Sequence, residues 1–66
     1  MDKVTYELIG YESEDDFDSR QGFSIINGLT KAKAFNMLSD HDLWIKYNII
    51  KIQSSDREFI MILKGL

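Results

Sequence analysis

Five carboxylates, Glu12, Glu14, Asp15, Asp16 and Asp18, crowd one short stretch of the chain, with Phe17 among them. Oxygen ligands at alternate positions can hold calcium, but an EF-hand loop also needs a glycine at its sharp turn. Counting from Asp16 puts Arg20 where a ligand should stand and Gln21 where the glycine should, so the pattern fails. Spaced carboxylates can also imitate a nucleic-acid backbone and occupy a basic channel on another protein. A third use is an acidic peptide that docks through Phe17 while the acids steer its approach. A solvated loop kept acidic for solubility is the plain alternative, and the default for such a run. Glu12, Glu14, Asp15, Asp16, Phe17 and Asp18 are the candidate partner-binding residues of this loop.

Other chemistry is thinner. Asp40-His41-Asp42 has the residue types for acid–base or metal work. Neighbours in a tight turn point in different directions, and no nucleophile stands near the histidine. A polar turn at a helix C-terminus, where an imidazole suits the dipole, is the simpler expectation. Lys31, Lys33, Lys46 and Lys51 with Trp44 could form a base-stacking surface, but these cations are scattered and the net charge is −3. That balance disfavours nucleic acid and anionic membranes alike. The chain has no cysteine and one histidine, which removes disulfides, thiolate zinc and multi-histidine metal sites. It has no glycine-rich phosphate loop and no Ser/His/Asp arrangement, and it is too short for a deep pocket beside a full core. The sequence therefore predicts no enzymatic activity, no cofactor and no metal.

The elements that must position these residues fit into 66 positions, of which 44% are hydrophobic and 29% charged. This is ordinary globular composition, and the length gives a single domain over residues 1–66. The N-terminus lacks a basic segment followed by an apolar run, and the longest apolar run, Phe59 to Leu63, cannot span a bilayer. The expectation is a soluble cytoplasmic protein.

Val4, Tyr6 and Leu8 alternate with Thr5 and Glu7, a period-two strand over residues 3–11. Residues 12–21 follow as the acidic loop. Residues 22–27 read as a second strand, closed by the turn signal Asn27-Gly28 and paired with the first across that loop. Thr30 to Ser39 reads as a helix capped by Thr30, with Lys31, Ala34, Phe35 and Leu38 on one face. A rival strand over residues 29–35 is disfavoured by the alanines. Trp44 to Gln53 and Glu58 to Lys64 read as strands of a hairpin joined by residues 54–57. The predicted fold is a small two-layer α+β domain of order β-β-α-β-β, with one helix on an antiparallel sheet of four strands.

Such a sheet needs only one apolar face, yet Phe59, Met61 and Leu63 alternate with Ile60 and Ile62. One short helix cannot cover both faces. The sequence allows three covers: a second copy packed sheet to sheet, another protein, or the acidic loop folded back with Phe17 as its plug. Ile49, Phe59, Met61 and Leu63 are the candidate dimer or partner face. In size, charge and element order the chain resembles small acidic proteins encoded by phages and mobile elements. Among these are the short dimeric inhibitors of uracil-DNA glycosylase, which have a related sheet-and-helix build. The resemblance rests on no motif and carries no residue across. The functional expectation is a protein-binding module, an inhibitor or adaptor, that acts as a homodimer. A nucleic-acid-binding module using the lysines and Trp44 is the first alternative, and a structural subunit of a larger assembly is the second.

Overall fold

A computed structural model describes residues 3–65. The strands are β1 (Tyr6–Tyr11), β2 (Phe23–Leu29), β3 (Ile49–Ser54) and β4 (Ile60–Lys64); the helices are α1 (Glu14–Asp18), α2 (Lys31–Met37) and α3 (His41–Lys46). The four strands form one sheet of order β2-β1-β3-β4 with every neighbouring pair antiparallel. The expected α+β class and both expected hairpins are present. The single expected helix is three, for reasons local to each segment.

The acidic loop contains α1. Ser13 takes an extended backbone and its hydroxyl accepts from the Asp16 N–H. Glu14, Asp15 and Asp16 fill the first turn, where carboxylates offset the positive end of the helix dipole. Charges that resemble solvating residues thus stabilise a short helix. It ends as Arg20 enters the left-handed region at φ 59° and the Gln21 N–H reaches back to the Asp16 carbonyl.

Thr30 caps α2 as expected, accepting from the Lys33 N–H. The helix ends at Met37 rather than Ser39. Asp40 then caps a new helix, its carboxylate accepting from the Asp42 N–H. Residues 40–42 therefore begin α3 instead of merely closing α2, and His41 stands exposed at the start of a helix. Trp44 and Ile45, expected in a strand, lie in α3. Leu43 and Tyr47, four positions apart, both pack toward the core, and Trp44 Nε1 donates to the Leu38 carbonyl at 2.7 Å. Tertiary packing here overrides β-propensity, so the strand starts only at Ile49. In β2, Asn27-Gly28 does not end the strand. It forms an irregularity with Gly28 at φ 72°, and the chain runs on to bury Leu29.

Helices α2 and α3 lie on one sheet face. Leu8, Leu29, Ala34, Tyr47, Ile50 and Ile52 make the core there. Phe59, Met61 and Leu63 pack against it half-buried, and Phe59 meets Tyr6 and Phe35 edge to face at 5.8 and 6.0 Å. The candidate dimer or partner residues Ile49, Phe59, Met61 and Leu63 thus do not share one open face, which corrects that expectation. The last three point into the helix layer, whereas Ile49 pairs with Lys64 on the opposite face and is 1% exposed.

The Tyr47 ring packs directly against Gly10, so a Cβ at position 10 would stand 2.5 Å from Tyr47 Cδ1. We expect Gly10→Ala to destabilise the domain by about 1–3 kcal/mol through overpacking. Thermal denaturation checks this, at roughly 4–8 °C per kcal/mol for a domain of this size.

Candidate docking site on the second sheet face

The register fixes what the second face presents. Its rungs are Tyr11, Ile49 and Lys64, then Ile9, Lys51 and Ile62, then Glu7, Gln53 and Ile60. Helix α1 covers the first rung. Phe17 meets Tyr11 edge to face at 5.0 Å, and Glu14 Oε1 pairs with Lys64 Nζ at 3.3 Å across the same end. The returning chain hugs Ile9 and Tyr11 so closely that a Cβ at Gly22 would lie 2.6 Å from each. The loop therefore folds back with Phe17 as its plug.

The cover stops there. Ile62 is 48% exposed and Ile60 51%. They form one wall of an open cleft whose other wall is Tyr11, Phe17, Asp18 and Arg20, with Lys51 and Gln53 between and Arg57 at one end. Three cations and one carboxylate line this cleft, the reverse of the balance in a chain of net charge −3. Among the described residues the single ion pair is Lys64–Glu14, so Arg20, Lys51 and Arg57 make no direct ion pair with a carboxylate. No family model, no curated protein and no solved structure matches the chain.

Arg57 owes its position to a tight turn. Ser54, buried at the end of β3, donates its hydroxyl to Asp56 Oδ1 and accepts from the Phe59 N–H. The Glu58 N–H also donates to Asp56 Oδ1, at 3.0 Å, and Arg57 sits between at φ 62°. The Ser54 hydroxyl, then the Glu58 amide, hold the Asp56 carboxyl below its ordinary value.

Of the acidic-loop candidates, Phe17 and Asp18 line the cleft and the others do not. Glu12, Asp15 and Asp18 are exposed, while Asp16 and Phe17 are half-buried. Among the described residues no cluster of histidine and carboxylates could hold a metal ion. Lys31 stacks over Phe59 at 5.1 Å and Lys46 over Tyr47 at 5.5 Å. Lys51 lies on the opposite face, and the indole N–H of Trp44 is engaged. The lysine set and Trp44 are therefore not brought onto one surface. The cleft residues Arg20, Arg57, Ile60 and Ile62 were not singled out as a site by the sequence. The doubly apolar pattern of β4 was the signal for the isoleucines, but nothing in spacing joins the two arginines to them.

Two outcomes follow. We expect Phe17→Ala to cost about 1–3 kcal/mol, less than a fully buried phenylalanine, and to raise binding of an apolar dye as Tyr11 and Ile49 lose cover. Because the folded Asp56 titrates below 3.8, its stabilising contribution is whole above that value and is lost as pH falls through the lower folded pKa. Asp56→Asn should remove this part of the acid dependence, which melting curves between neutral pH and strong acid would register.

Proposed function

We propose that this chain is a protein-binding module, an adaptor or inhibitor, that receives an acidic segment of another protein in the cleft between α1 and β4. The observation that carries the reading is the pair of half-exposed isoleucines, Ile60 and Ile62, set among Arg20, Lys51 and Arg57. Apolar surface without a cover gives affinity, and unmatched cations around it select a partner of opposite charge. Arginine beside aromatic rings is also a favoured composition for the centre of an interface. A bound segment with acids flanking bulky aliphatic side chains would satisfy both parts. The exposed Asp18 in the cleft wall would repel an acidic segment in the wrong orientation. The reading assigns no catalytic step.

A short synthetic peptide alternating glutamate and leucine is the probe. On titration, the methyl resonances of Ile60 and Ile62 should shift, and the binding should weaken with added salt. Burying one isoleucine is worth about 1.5–3 kcal/mol, so Ile60→Asp should lower affinity roughly tenfold or more. Arg57→Glu should weaken it as well. If a lysine–leucine peptide binds equally well, or if the shifts gather on Glu12 and Asp15 instead, the reading fails.

A further inference from the structure

Among the described residues strand β4 is an edge of the sheet, with β3 its only neighbour. The Ser54 N–H donates to the Phe59 carbonyl and the Gly65 N–H to the Asn48 carbonyl. These two bonds set the phase of the ladder: Phe59, Met61, Leu63 and Gly65 turn their backbone groups toward β3. The backbone N–H and C=O of Ile60, Ile62 and Lys64 consequently point outward. Their side chains are the ones on the open face.

The two edges differ. Strand β2 is paired to β1 through register shifts and carries Gly28 in the left-handed region, the kind of irregularity that blocks edge pairing. Strand β4 pairs with β3 without a shift, and the chain contains no proline. Its sequence, Ile60-Met61-Ile62-Leu63-Lys64, has one charge, at the end. An unblocked apolar edge is a template for another strand, and the chain that is always present to supply one is a second copy.

We propose that two copies pair through β4, strand against strand and antiparallel about a two-fold axis, to make one continuous sheet. Outward groups must face outward groups. The register that also joins apolar side chains sets Ile60 opposite Ile62 of the second copy, with the axis beside Met61. That register brings Lys64 opposite Glu58 of the second copy, and both are exposed; opposite charges thus meet at each end of the pairing. On the open face the isoleucines of the two copies become one apolar strip with Lys51 on either side. The inference deepens the docking reading, because a cleft with one open side in the single chain becomes a trough with two cationic walls in the pair.

Light scattering of the full chain over a dilution series tests it. The expected mass is twice 7.7 kDa, falling toward the single-chain value on dilution. Ile62→Pro removes only an outward N–H, at a place where an edge strand tolerates proline, so it should keep the native circular dichroism and run as a monomer. A wild-type chain that stays monomeric at every concentration overturns the proposal. So does a folded Ile62→Pro that still dimerises, since the contact would then be elsewhere. If Ile62→Pro does not fold, charge exchange decides. In a Glu14→Gln background, which removes the ion pair Lys64 makes within its own chain, Glu58→Lys and Lys64→Glu should each weaken the dimer several-fold and together restore it, and failure of the combined variant to restore it overturns the register and the edge. The glutamate–leucine titration separates the two readings. A monomer that binds the peptide sinks the pairing alone, and a dimer that ignores it sinks the docking reading alone.

Discussion

A sheet has two faces, and this chain has only enough helix to cover one of them and part of the other. Everything else in the molecule follows from how that shortage is distributed. The pair α2 and α3 goes to one face, where Leu8, Ile50 and Ile52 are fully buried. The short α1 goes to the other and closes it over Tyr11 and Ile49. The central strand β1 is hydrogen-bonded on both sides and carries residues of both covers, so each helix layer stabilises the strand on which the other depends. In a domain this small, where burial leaves little margin, neither cover is dispensable.

The end of the second face that α1 does not reach is where the chain's charges change sign. Arg20 and Arg57 leave turns in left-handed conformations, and Lys51 stands between Ile9 and Ile62 on the sheet. None of these placements serves the core. The acids of α1, by contrast, have local work: they complement a helix N-terminus, and Glu14 ties that helix to Lys64. The cleft is a surface of definite chemistry, apolar side chains set among cations.

Much of the fold was legible in the residues. Alternation in Val4 to Leu8 and the doubly apolar run at Phe59 to Leu63 gave strands, and Thr30 before Lys-Ala-Lys-Ala gave a capped helix. Two segments misled. Trp44 to Tyr47 has β-forming side chains, but Asp40 caps it and the core holds Leu43 and Tyr47 on one helical side. Residues 13–18 look like a solvated loop because their charges hide a serine cap with acids in the first turn. In both, a side chain-to-backbone hydrogen bond at the cap starts a helix that tertiary packing then holds against the sheet. The site was less legible than the fold. The presence of spare apolar surface on β4 could be read from alternation, but which side was spare could not, and Phe59, Met61 and Leu63 proved to be the covered ones.

By itself the sequence determined the class of the fold, its hairpins, the exclusion of thiol chemistry and the existence of more apolar sheet surface than the helices could bury. Those properties depend on local periodicity and on residue types that are present or absent. Only the tertiary structure decided which side of β4 the helices took, because that depends on strand register and on the order β2-β1-β3-β4. It also decided that Arg20, Lys51 and Arg57 would surround Ile60 and Ile62. Residues from separate turns and strands meet only when the sheet brings them together, and no spacing along the chain encodes that meeting.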